Sequence, residues 1–283
     1  MHPVAYLEHL TDPDIAFLVS VSRTGTAAGL REFLEENTDS LQGLLASDPV
    51  YEALFGAGHE EALLRASPFL VFAVLIVRAH AELRTTSFVQ EWLGPARRVP
   101  LFEVATLRAF SADSAHQLFL AELLASYTRV VSGSFWVHTP RGWQRRRYSD
   151  LDLMRLVEML NYVPDAERPV LLRRLGDLAL FLSGVFPDFA GTHTFRPTQR
   201  RRLESAVNAS ESESEDRSEL DFLEMIGSAS YRQASIAAER QSGTSGTLRE
   251  MAGGFGQARR VLNFVTDRYL YPFREQWFTM GRG

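Results

Sequence analysis

The chain has 283 residues, 45% hydrophobic and 23% charged, with a formal net charge of −5 at pH 7. Such values permit a sizeable core and supply no global attraction to nucleic acid. Cysteine and lysine are both absent, so all 30 basic residues are arginine; disulfides, thiolate nucleophiles, Cys-ligated metals, Schiff bases and a phosphate-loop lysine are excluded.

The N-terminus Met-His-Pro-Val-Ala-Tyr has no basic region followed by an apolar run, so no signal peptide is expected. Helix starts follow at Asp12-Pro13, Asp48-Pro49 and Ser67-Pro68, where a capping side chain precedes a proline whose missing N–H costs nothing in a first turn. These signals and the apolar spacing predict helices over 13–21, 26–36, 38–46, 49–55, 59–65 and 68–84. The last contains the longest apolar run, Phe69–Val77, far short of the ~20 residues of a membrane span. A cytoplasmic location without membrane insertion is the expectation.

Helices over 101–109 and 112–131 come next, and then the pattern changes. Residues 129–148 hold five arginines, two tryptophans, a Pro-Arg-Gly turn and no acid. Phe135, Val137 and Thr139 alternate with Trp136 and His138 in strand fashion, and Gly142–Tyr148 can return antiparallel with Arg145 and Arg147 on one face and Arg146 on the other. Aromatics in such a hairpin usually pack and arginines usually pair with acids. Without a local acid, Trp136, Arg141, Trp143, Arg145, Arg146 and Arg147 also make a candidate surface for an acidic protein or for nucleic acid.

Ser149-Asp-Leu-Asp152 resembles a capping box before a helix over 150–161, and 166–186 is apolar over most of its circumference. That pattern puts it with 68–84 and 112–131 in the core. Residues 190–217 are polar and charged: Arg196 and the cluster Arg200, Arg201 and Arg202 precede the acidic run 211–216, which can neutralise them. Such composition reads as a mobile linker, and the cluster is a second candidate basic site.

Helices over 218–240 and 247–271 complete the chain, the second opened by the box Thr247–Glu250 and interrupted by Gly253, Gly254 and Gly256. Each glycine costs roughly 1 kcal/mol against alanine, so a kink or a close backbone approach is expected there. The aromatic tail, with Phe273, Trp277 and Phe278, reads as a clasp folded back on the body or as an interface, since aromatics are common interface anchors.

The fold class is therefore all-α, about ten to twelve helices, with one short β-hairpin near 134–148. Its blocks are a helical core over 1–189, a charged linker over 190–217 and a helical pair over 218–283 that packs back on the core. Catalytic signals are poor. His80-Ala-Glu82 lacks the Cys-x-x-Cys that a zinc deaminase needs. Asp113-Ser-Ala-His116 has bundle-ligand spacing, yet Glu-x-x-His occurs nowhere. No Gly-x-Ser-x-Gly elbow and no dinucleotide fingerprint is present. No catalytic residue, metal or cofactor is assigned. The expectation is a non-catalytic interaction protein, regulatory or scaffolding, with a protein partner or a second copy of itself favoured over nucleic acid. A nucleic-acid binder and a helical enzyme or ligand carrier with an inter-helix pocket are the alternatives.

Overall fold

The computed structural model describes residues 4–23, 25–56, 60–94, 97–129, 132–139, 142–149, 151–188, 194–209, 217–242, 246–271 and 277–278. It is mainly helical, as expected, and the chain divides into two compact units. Met1–Phe88 and Phe102–Thr128 form the first; Val89–Leu101 and Arg129–Gly283 form the second. Residues 129–189, read from the sequence as part of the leading block, belong to the second unit.

The first unit contains α1 (Val4–His9), α2 (Asp12–Ser22), α3 (Ala27–Glu36), α4 (Thr38–Leu45), α5 (Asp48–Phe55), α6 (Glu60–Arg65), α7 (Pro68–Leu83), α8 (Ala105–Ala112) and α9 (Ser114–Ser126). Its centre is α7, where every residue from Phe69 to Val77 is buried. Ser67 caps α7 as expected, accepting from Leu70 N at 3.1 Å. The cap of α2 is Thr11 rather than Asp12, because Asp14 completes a capping box with it. Asp14 is fully buried and also accepts Ser67 N at 2.8 Å, tying the starts of α2 and α7 together. The expected helix over 112–131 is α9, which starts after Asp113, whose Oδ1 accepts Ala115 N at 2.7 Å, and ends at Ser126. An aspartate held in extended geometry is a better cap than an interior helix residue.

The second unit is built on α11 (Arg168–Val185), buried at every position from Leu175 to Val185. Around it lie α10 (Leu153–Leu160), α12 (Pro197–Ala206), α13 (Glu219–Ser242), α14 (Gly246–Gly253) and α15 (Phe255–Val265). Helices α11 and α13 run together closely because glycine opens the contact. A Cβ on Gly176 would stand 2.6 Å from the Tyr231 ring, and one on Gly227 3.1 Å from the Ala179 Cβ of α11 and 2.2 Å from the Phe255 ring of α15. The expected kink occurs at Gly254, which separates α14 from α15. Residues Thr266–Leu270 then form a π turn, closed by Tyr271 N donating to Thr266 O at 2.8 Å.

Two features correct the sequence reading. The stretch taken for a linker contains α12, held by buried Leu203 and Val207 and by an Arg200–Glu219 ion pair at 2.8 Å. A second hairpin, β1 (Val89–Gly94) with β2 (Arg97–Leu101), pairs antiparallel with Glu91 opposite Val99 and Trp92 opposite Arg98. Pro100 lies in β2 opposite Gln90, and a proline within a run argues against a strand from sequence alone. The expected hairpin is also present as β3 (Ser132–Thr139) and β4 (Gly142–Ser149).

Glu91 points to the reason the first hairpin docks where it does. It is buried, 7% exposed, and its two oxygens accept from Arg259 Nη2 and Arg260 Nε, both at 2.5 Å. Arg259, 3% exposed, also donates Nε to Glu224 Oε2 at 2.9 Å and Nη1 to Asn263 Oδ1 at 3.2 Å. Burial alone would lower the Arg259 pKa, but the carboxylates of Glu91 and Glu224 outweigh it and hold the value above that of an ordinary arginine. Asn263 Nδ2 in turn donates to Gly184 O at 2.7 Å. A buried arginine is tolerated here because its donors face carboxylate or amide acceptors. At the hairpin's outer edge Arg98 lies over the Trp92 ring, 3.9 Å from its centroid, and pairs with Asp267 at 3.2 Å.

Candidate functional site

The ribbon β3–β4 carries the first candidate site. Its register sets Ser134 opposite Arg147, Phe135 opposite Arg146, Trp136 opposite Arg145 and His138 opposite Trp143. Paired positions share a face, so positions 136, 138, 143, 145 and 147 fall on one face and 135 and 146 on the other, as the alternation predicted. Gly142 opens β4 with φ +99, a conformation that favours glycine. Arg145 is exposed and donates Nε to Ser134 Oγ at 2.8 Å. Among the described residues it has no carboxylate partner. Arg141 and the side chains of Trp136, Trp143, Arg146 and Arg147 lie outside the described residues. The base of the ribbon is fixed by α10, which β4 contacts. Asp152, not Ser149, caps that helix, accepting Arg155 N at 3.1 Å. Ser149 is consumed by β4 instead.

The second basic cluster is divided by the fold. Arg200 turns inward: it pairs with Glu219, lies over the Phe222 ring at 4.5 Å, and its side chain is only 14% exposed. Arg201 and Arg202 are exposed on α12. The acidic run 211–216 lies outside the described residues. In the tail, Phe278 is 2% exposed and packs edge-on against Phe181 and Phe186, with centroids at 5.0 and 6.2 Å. Trp277 is half-buried, and Phe273 is outside the described residues.

The described histidines of the first unit, His9, His80 and His116, each lie beside a polar partner. His116 lies 3.0 Å from Phe110 O through Nδ1 and stacks on the Phe110 ring at 4.2 Å. Glu122, one turn and a half further on, lies 2.9 Å from His9 Nε2 instead. The Tyr6 hydroxyl is buried; burial first, then the carboxylates of Glu122 and Asp113, push its pKa upward. His80 Nδ1 lies 3.1 Å from Ser111 Oγ, and that hydroxyl donates to Arg108 O at 3.1 Å. The chain of donors assigns the proton of neutral His80 to Nδ1.

Burial, then the neighbouring Arg84, lowers the His80 pKa from its ordinary 6.5. A depressed histidine pKa means that the unfolded chain takes up the proton first as pH falls. Its contribution to stability is whole above pH 6.5 and is lost as pH drops from there through the folded value. His80→Gln is expected to flatten that part of the profile. The check is the melting temperature of both proteins across this interval; an unaltered slope in the variant would remove His80 from the account.

The sequence reading missed a group formed by Asp221, Glu224, Gln257 and Arg260 of the second unit, which line one cleft. Its only local sign was the glycine interruption at 253–256. The members come from segments more than thirty residues apart, as the 35-residue separation of Glu224 and Arg259 shows. Among the described residues, no helix is long and apolar enough to cross a membrane. Comparison with protein-family models, with curated proteins and with solved structures finds nothing that matches this chain.

Proposed function

We propose that the protein is a non-catalytic interaction protein, regulatory or scaffolding, whose β3–β4 ribbon takes an acidic segment of a protein partner. The observation that carries this reading is Arg145: exposed, oriented by Ser134 and without a carboxylate partner among the described residues, in a stretch that contains no acid. A guanidinium held in this way offers its terminal nitrogens as a fork to a carboxylate. Protein is favoured over nucleic acid because Arg200 is spent on Glu219, which shortens the basic track that a phosphate backbone would need. Cytoplasmic residence belongs to the same proposal.

The test uses the whole chain with poly-glutamate and with mixed-sequence DNA and RNA, each titrated with salt. Poly-glutamate is expected to bind more tightly than either nucleic acid. Changing Arg145, Arg146 and Arg147 together to Glu is expected to weaken it by about a hundredfold. Three charge pairs at up to about 1 kcal/mol each give roughly 3 kcal/mol. Unchanged binding by the triple variant would remove the ribbon as the site, and tighter binding of nucleic acid with a steep salt slope would favour the alternative.

A further inference from the structure

A cleft of about 580 Å³ opens between α13 and the α14–α15 junction, bordered by Asp221, Glu224, Ser228, Gly256, Gln257 and Arg260. Its volume lies within the range of small-molecule sites. The break at Gly254 helps to form it, and Gly256 keeps it open, since a Cβ there would stand 2.6 Å from Glu224 Oε1. The charges on its walls are held but not satisfied. Glu224 spends Oε2 on Arg259, and its Oε1 has no donor among the described residues. Arg260 spends Nε on Glu91, and its two terminal nitrogens have no acceptor among the described residues. Asp221 Oδ2 accepts Ser218 Oγ at 2.6 Å, while Oδ1 has no described partner. Glu224 and Arg260 do not pair with each other, because each is drawn to a member of the buried Arg259–Glu91 pair.

One cleft therefore presents the Arg260 guanidinium edge and two carboxylate oxygens, each anchored from behind, with Arg217 as a second guanidinium in its lining. A simple anion that met Arg260 would face Asp221 and Glu224, and a simple cation would face Arg260. A molecule that carries both charges meets both kinds of wall. We propose that this cleft binds a free α-amino acid, its carboxylate on Arg260 and its ammonium on Glu224 and Asp221. Gln257, which offers both a donor and an acceptor, stands at the same wall for a polar side chain. The anchoring by Arg259 and Glu91 sets the two poles before the ligand arrives, which lowers the ordering cost of binding. This site is independent of the ribbon and of the partner proposed for it.

The experiment is isothermal titration of the whole wild-type chain with each of the standard amino acids. It is repeated with the methyl ester and the N-acetyl derivative of every one that binds. At least one free amino acid is expected to bind, with both derivatives weaker by about tenfold or more, since each lacks one charge-assisted contact. Asp221→Asn lies outside the buried network and is expected to keep the wild-type melting curve while weakening the amino acid several-fold. Arg260→Gln is expected to abolish binding; its own melting curve reports whether the fold survives, and the derivative series does not depend on it. The proposal is overturned if no free amino acid binds, or if the ester and the N-acetyl compound bind as tightly as the parent.

Discussion

Arg259→Leu is expected to destabilise the protein by about 3–5 kcal/mol, the cost of breaking a buried ion pair from one side. The substitution leaves Glu91, 7% exposed, with Arg260 alone, and leaves Glu224 and Asn263 without their shared donor. The loss is an uncompensated buried carboxylate more than a missing attraction, so Glu91→Leu added to Arg259→Leu should recover part of it. Arg259→Lys keeps the charge, but a single ammonium cannot reach Glu91, Glu224 and Asn263 in the fork geometry that the guanidinium provides; an intermediate loss is expected. Chemical denaturation of wild type, Arg259→Leu, Glu91→Leu and the double variant supplies the cycle, with Arg259→Lys measured beside them. A single Arg259→Leu variant within about 1 kcal/mol of wild type, the median value of an exposed pair, would mean that the network contributes specificity without stability.

The second large effect belongs to the other unit. Asp14→Ala is expected to cost about 3–4 kcal/mol, from three hydrogen bonds at roughly 1–1.5 kcal/mol each. Asp14 accepts Thr11 N at 2.8 Å, Thr11 Oγ1 at 2.7 Å and Ser67 N at 2.8 Å. Its removal frees the entry to α2 and strips an acceptor from the residue that caps α7. Asp14→Asn keeps one carbonyl oxygen but turns an NH₂ toward a donor, so it should fall between alanine and wild type. Urea denaturation followed by circular dichroism measures all three. If alanine proves no worse than asparagine, the carboxylate does not join the two helix starts energetically.

The helices were legible because their signals are local. Ser67-Pro68 fixes the start of α7 to the residue, and the leucine spacing of 168–185 places α11 in the core. Errors arose where two local signals competed. At Asp12-Pro13 the aspartate looked like the cap, yet Thr11 takes that role because Asp14 reciprocates. Near Asp113 two helices were expected, over 101–109 and 112–131, and only the boundary shifted: the first runs on to Ala112 and the aspartate opens the second. The β3–β4 hairpin was legible from strict alternation around a Pro-Arg-Gly turn, whereas β1–β2 was not. Its buried Glu91 interrupts the apolar pattern, and the arginines that make burial tolerable lie 168 and 169 positions away. The cleft was illegible for the same reason: Glu224 and Arg260 acquire meaning only when α13 and α15 meet.

That distance also sets an order of assembly. The segment 89–101 is threaded between α7 and α8 of one unit yet belongs to the other. During synthesis Glu91 emerges 168 residues before the guanidinium that will cover it, an interval on the order of ten to thirty seconds at translation rates of about 5–20 residues per second. Through that time a nascent chain must carry an unpartnered hairpin with an edge on each side. A single cut after Thr128 leaves the first unit whole but takes 89–101 with it, and a gene fragment that begins at residue 129 lacks the carboxylate around which its last helices close.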